Sequence, residues 1–243
     1  MKGYPETMHI HKPQTTALVF ALFFAAYLVP GPCNAAEDQP YPPSRWEETI
    51  QDFEKADLSS PPEGRPILFI GSSSIRKWDL ANAFPEFNTL NRGFGGSHIA
   101  DSTAFIDRIV VPYHPRQIVF YAGDNDITNG LSPLTVRENF ANFCQQVHEQ
   151  LPEVPIIYVS IKTSHSRLAH MAKMEEANQL IEDFCAQSQL LTFLDVDHAM
   201  RGPDGLPRKD LFVEDQLHLS KEGYALWNKL LRPLLIPEPS NDR

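Results

Sequence analysis

Along most of this chain, short runs of β-branched and aromatic residues alternate with longer helix-forming stretches, and that alternation restricts the fold more than any other feature. The runs Ile67 to Ile70, Thr89 with Leu90, Gln117 to Tyr121, Ile156 to Ser160 and Thr192 to Val196 have the apolar density of strands buried on both faces. Between and after them, Leu131 to Leu151, His170 to Gln189 and Ser220 to Leu231 are supplied with Leu, Glu, Gln, Lys and Ala and are long enough for crossover helices. Strand alternating with helix predicts a parallel sheet, and right-handed crossovers leave few windings for it. The expected fold is one α/β domain in three layers, with about five parallel strands and helices on both faces. A β-sandwich is disfavoured by such long helical spacers, and a TIM barrel needs more strand–helix units than the chain supplies. Ligands of open parallel sheets bind beyond the carboxyl ends of the strands, so those ends are where chemistry is expected.

Residues 1–36 do not share this pattern. Lys2 and Lys12 precede an apolar run from Ala17 to Val29, and the small residues Ala35 and Ala36 follow, which is the order of a cleavable secretory signal. The run is shorter than the ~20 residues a membrane-spanning helix requires, so no stable membrane insertion is expected after cleavage. The expected destination is secreted or periplasmic. Residues 37–62 form a Pro-rich lead-in with one amphipathic helix, Trp46 to Asp57, in which Trp46, Ile50 and Phe53 recur at helical spacing. The main domain is expected at 63–235, with 236–243 as a tail. After cleavage the remaining cysteines, Cys144 and Cys185, would lie in an oxidising compartment, either bridged or as two buried thiols. A formal net charge of −10 excludes a protein built to coat nucleic acid, whose phosphates attract basic surfaces.

Four segments at the expected strand ends carry the chemistry. Gly71-Ser72-Ser73-Ser74 leads from the first strand toward a helix start, where serine either caps the helix or is held up into the crevice as a nucleophile. Gly93-Phe94-Gly95-Gly96 follows the second strand; such glycines serve tight turns, or leave backbone N–H groups open to an anion. Asp124-Asn125-Asp126 follows the third, and the Asn125 amide is a candidate donor to a developing negative charge. A metal held by Asp124 and Asp126 is the weaker reading, since hard cations need several more oxygen ligands. Asp215-Gln216-Leu217-His218 precedes the last helix, and a carboxylate three residues before an imidazole can fold back and fix its tautomer. Any single Asp-x-x-His also arises cheaply as loop surface.

Together these four segments resemble the blocks of the SGNH/GDSL hydrolase superfamily, in order, over about residues 66 to 232. The resemblance implies a flavodoxin-like α/β/α sandwich and a serine esterase. It implies Ser73 as nucleophile, in preference to Ser72 or Ser74, with Asp215 and His218 completing the triad. It places the oxyanion hole on the Ser73 and Gly96 backbone N–H groups and the Asn125 side chain. Ser72 and Ser74 stand where the common Gly-Asp-Ser-Leu pattern has Asp and Leu, and Trp78 fits the serine-bearing variant, similar to platelet-activating-factor acetylhydrolases. No cofactor and no metal are called for. The rate is expected to rise with pH as His218 loses its proton. The expected partner is a small ester, an acetylated carbohydrate or lipid, because the short intervals between Ser73, Gly96 and Asn125 leave little room for a hydrophobic lid. A lysophospholipase or thioesterase on the same triad, or a non-catalytic glycan-binding module, are the alternatives; the oligomeric state is left open.

Weaker signals surround these. His98 reads as a solvated loop residue or a substrate contact, Lys162 and His165 as possible rim groups after the fourth strand, and Asp195, Asp197 and His198 as metal ligands or a capped polar loop. Trp227, with Leu226 and Leu230, reads as core.

Overall fold

The computed structural model describes residues 42–238, so the expected signal segment 1–36 and most of the tail lie outside the described residues. Five strands form one parallel sheet: β1 (Ile67–Gly71), β2 (Thr89–Gly93), β3 (Gln117–Tyr121), β4 (Ile156–Val159) and β5 (Leu191–Leu194), in the order β2-β1-β3-β4-β5. The long helices are α1 (Glu47–Ser59), α7 (Pro133–Gln150), α8 (Met171–Cys185) and α9 (Lys221–Leu231). Shorter ones fill the first two crossovers and the start of the third: α2 (Ser73–Arg76), α3 (Leu80–Ala83), α4 (Ile99–Ala104), α5 (Ile106–Ile109) and α6 (Asp124–Thr128).

Alternation of side chains along each strand divides the interior in two. Leu68 and Ile70 of β1, Phe120 of β3 and Tyr158 of β4 pack on one face with Ile50, Ile99, Ile109, Phe140, Val147 and Ile181, so α1, α4, α5, α7 and α8 form one outer layer. Ile67, Phe69, Val119, Tyr121 and Val159 point the other way, into Ile75, Trp78, Phe84, Trp227 and Leu231 of the layer containing α2 and α9. The three-layer expectation is met, and Trp227 is fully buried as core.

The edges depart from expectation. β2 and β5 are not buried on both faces: Thr192 is exposed, and Thr89, Leu90 and Asn91 are half-buried. β5 also begins and ends earlier than Thr192 to Val196, because beyond Leu194 the backbone N–H groups of Val196 and Asp197 donate to Ser160 Oγ rather than to a neighbouring strand. The lead-in helix is firmly attached. Asp57 pairs with the Arg92 guanidinium and accepts from Tyr113 Oη at 2.5 Å, while Arg108 reaches Glu54 at 2.6 Å and Glu47 at 2.7 Å. Cys144 on α7 and Cys185 on α8 carry free buried thiols, and burial pushes the Cys185 thiol up to about 12.

Where β1 ends, the chain must pass against β3. Gly71 has φ +132°, and a Cβ there would stand 2.0 Å from the Tyr121 carbonyl oxygen. Gly71→Ala is therefore expected to lower the urea unfolding free energy by at least about 2 kcal/mol, since strain and overlap with backbone act together; an unchanged midpoint would show that β1 and β3 can separate at no cost.

Candidate active site

All four segments meet at the carboxyl edge of the sheet. The Ser72 N–H donates to the Tyr121 carbonyl at 2.9 Å and the Phe94 N–H to the Gly71 carbonyl at 2.9 Å, which ties the ends of β1, β2 and β3 together. Ser73 is the first residue of α2, half-buried, while Ser72 and Ser74 are buried. Of the three serines, Ser73 alone lies beside an imidazole: its Oγ is 3.2 Å from His218 Nε2.

The 212–219 segment is a small hairpin closed by the Phe212 and Leu219 bridge, with Gln216 at φ +52° turning the chain back. This brings Asp215 Oδ2 to 2.6 Å from His218 Nδ1, while Asp215 Oδ1 accepts the Leu217 and His218 N–H groups at 2.9 Å each. Partial burial raises the Asp215 carboxyl, but the His218 ring hydrogen bond and these two N–H groups outweigh it and hold the group well below the usual carboxylate range. An ionised carboxylate only accepts, so Nδ1 carries the ring proton and Nε2 is left to accept from Ser73.

A second Asp-x-x-His shows what spacing alone is worth. Asp195 Oδ2 lies 2.5 Å from His198 Nδ1, and Asp195 Oδ1 accepts the His198 N–H at 3.1 Å. The fold-back is the same, yet this imidazole is 78% exposed and meets no serine among the described residues. Asp197 is engaged elsewhere, with Arg201 and the Thr163 N–H.

Three groups in these segments are candidate anion donors. The Ser73 N–H, as the first of a helix, has no intrahelical acceptor. Gly96 is exposed at φ +81°, a conformation that suits glycine, with the Trp46 ring about 3.7 Å from where a Cβ would stand. Asn125, half-buried on α6, donates one Nδ2 proton to the Ser97 carbonyl at 3.0 Å and accepts at Oδ1 from the Arg167 guanidinium at 2.8 Å.

Some expectations are corrected. His98 is fully buried, neither solvated nor presented to a substrate; its ring nitrogens stand 3.4 Å from Arg45 and 2.7 Å from Asn129, and burial first, then Arg45, lowers its proton affinity against the pull of Asp101. Lys162 is not on the rim but buried, 3.3 Å from Asp124, which also pairs with Arg167 at 3.0 Å. His165 is turned toward the Pro207 carbonyl at 2.6 Å. Two contributors escaped sequence reading. Arg167 lies just beyond the segment that drew attention to Lys162 and His165. The Arg45-Trp46 pair sits in a stretch read as a lead-in, yet Arg45 reaches Asp101 at 2.7 Å and Trp46 packs edge-on against Phe94 at 5.6 Å.

With this geometry in view, the comparisons with known proteins are informative. Residues 71–226 match the model of the GDSL-like Lipase/Acylhydrolase family. The chain belongs to that family. Membership makes it an ester-cleaving hydrolase. No curated protein matches it. Among solved structures, it is similar to a Streptococcus pneumoniae protein described as a platelet activating factor, with 24% identity and a TM-score of 0.70 over 79% of this chain and 94% of that one. A GDSL-like lipase from Bacteroides thetaiotaomicron is 16% identical at TM-score 0.67, covering 76% and 96%. An acetylxylan esterase from Geobacillus stearothermophilus is 13% identical at TM-score 0.56, covering 70% and 95%. At these identities the likeness establishes the α/β/α fold.

Behind the site, burial pushes the Asp126 carboxyl up to about 7, against the opposing Ile99 N–H that donates to its Oδ1 at 3.2 Å. The unfolded chain releases this proton near pH 4, so between about pH 4 and pH 7 the unfolded state binds fewer protons and stability falls as pH rises. Asp126→Asn keeps an acceptor for Ile99 and removes the titration. Its stability advantage over the parent, read from urea midpoints, is expected to be small at pH 4 and to reach on the order of 2–4 kcal/mol by pH 8; a pH-independent difference would show that Asp126 ionises normally.

Proposed function

We propose that this hydrolase is an exported serine esterase acting on short-chain, chiefly acetyl, esters through Ser73, His218 and Asp215. The observation that carries the reading is the unbroken chain of contacts from Ser73 Oγ to His218 Nε2 at 3.2 Å and from His218 Nδ1 to Asp215 at 2.6 Å. His218 takes the serine proton as Oγ bonds to the ester carbonyl carbon. The carbonyl oxygen becomes an oxyanion held by the Ser73 and Gly96 N–H groups and the Asn125 amide. His218 then gives its proton to the departing alkoxide, leaving an acyl-serine. A water then bonds to the acyl carbon as His218 takes its proton, and the adduct collapses by breaking the Oγ–acyl bond, with His218 returning the proton to Ser73 Oγ as the acid leaves. Asp215, anionic throughout, holds the imidazole tautomer and favours its protonated form.

Short acyl groups suit the surroundings. Between Ser73 and Asn125 the chain is taken up by α2 to α5, whose Leu80, Ala83, Ile99, Ile106 and Ile109 are buried against the sheet, leaving little of it to cover a long acyl chain. Acetylated carbohydrate is the favoured class, with an acetylated lipid the other; the Geobacillus neighbour is named as an acetylxylan esterase. Residues 1–36 are assigned to export, with cleavage after Ala36, which would place the enzyme in the periplasm or outside the cell.

Protein lacking residues 1–36 is expected to hydrolyse p-nitrophenyl acetate, and its Ser73→Ala counterpart to lose several orders of magnitude in turnover. Equal rates in the two would remove Ser73 as nucleophile. Across p-nitrophenyl esters, kcat/KM is expected to be higher for acetyl than for dodecanoyl. The reverse order would overturn the short-chain assignment, and faster cleavage of acyl thioesters or lysolipids would make the enzyme a thioesterase or lysophospholipase.

A further inference from the structure

An asparagine can serve an oxyanion only in one of its two amide orientations. Turned over, it presents a carbonyl oxygen to the developing negative charge and opposes the reaction. The two orientations have nearly the same shape, so packing scarcely distinguishes them and hydrogen-bond partners must decide. At Asn125 two partners act together. The Ser97 carbonyl, 3.0 Å away, can only accept and so claims an N–H. The Arg167 guanidinium, 2.8 Å away, can only donate and so claims Oδ1.

Arg167 is itself secured. Its side chain is 16% exposed, and its other terminal nitrogen lies 3.0 Å from Asp124 Oδ2, a carboxylate that Lys162 also approaches at 3.3 Å. Asp124 and Lys162 are both buried, and Lys162 donates in addition to the Tyr121 hydroxyl at 3.2 Å. Burial opposes ionisation of Asp124, but Lys162 and then Arg167 outweigh it and keep the carboxyl below its ordinary range. The guanidinium therefore lies between two consecutive residues of α6, one terminal nitrogen paired by charge with Asp124 and the other donating to the Asn125 amide oxygen. Pulling electron density toward Oδ1 also makes the Asn125 N–H groups better donors, since bonds in a chain polarise one another.

We propose that Arg167 is a positioning residue for the oxyanion hole, holding the Asn125 amide in its donating orientation and polarising it from a mount on Asp124 and Lys162. The assignment rests on the Ser73 and Asn125 roles above. It acts on the transition state alone, because a ground-state carbonyl carries little charge, so its effect falls on kcat rather than KM.

A double-mutant cycle tests it, with kcat and KM for p-nitrophenyl acetate measured on the chain lacking residues 1–36. Arg167→Met is expected to lower kcat roughly 10- to 100-fold with KM within about twofold. Asn125→Ala is expected to cost roughly 10²–10³. In the Asn125→Ala background, Arg167→Met should cost almost nothing further, because the group it acts through is gone. Arg167→Lys, which can donate to Asp124 or Asn125 but not hold both, should fall between the parent and Arg167→Met, and it supplies the cycle if the Met variant fails to fold. A full-sized loss on top of Asn125→Ala, a parent-like kcat in Arg167→Met, or a loss confined to KM would each overturn the proposal. Ser73→Ala separates this from failure of the underlying reading: an inactive Ser73→Ala with an additive cycle removes Arg167 alone, whereas an active Ser73→Ala removes the triad.

Discussion

Everything at this site depends on five strands running the same way and stopping at the same edge. Parallel pairing places Gly71 level with both Gly93 and Tyr121, so the segments following β1, β2 and β3 leave the sheet side by side. None of the three could contribute to a shared crevice if a strand were reversed. The tight passage of Gly71 past the Tyr121 carbonyl then fixes where Ser72 and Ser73 emerge. Gly93 has a comparable role on the adjacent strand, where a Cβ would come within 2.4 Å of the Arg76 nitrogen in α2. The helix that begins at Ser73 is thus seated on glycines that precede it in β1 and face it from β2.

What could be read from the chain, and what could not, follows the range of the interactions involved. β3 was legible residue by residue because a central strand buried on both faces leaves an uninterrupted apolar run. The edge strands were not, since half of each faces outward and β5 is cut short by the hydroxyl of Ser160. Ser73, Asn125, Asp215 and His218 each sit in a short local pattern, and it is the four patterns in order that carry the resemblance to a family. Their proximity was not legible in any one pattern: Asp195 and His198 repeat the same fold-back, and the difference lies in a serine 145 positions away in sequence from His218. His98 was misjudged for a related reason. Arg45, 53 residues upstream, lies 3.4 Å from its buried ring, and no pattern in the glycine loop announces that.

Charge is distributed unevenly in a way that composition conceals. The chain is acidic overall, yet the wall behind Asn125 holds Lys162 and Arg167 around a single ionised Asp124, with Asp126 beside them held toward its neutral form. These groups lie largely out of water, where screening is weak.

The packing of Arg45 and Trp46 against the loop that carries Gly96 changes where the working unit begins. The family match opens at Gly71, but the wall against Gly96 is supplied from 50 residues earlier in the chain, by Trp46. Cutting this protein at the matched boundary would remove most of β1, and a cut just ahead of β1 would keep all four segments yet leave the Gly96 loop deprived of its backing. For recombination and fusion, the indivisible module therefore starts ahead of α1, and a swap that keeps the strands yet replaces the segment before them also exchanges the wall against Gly96.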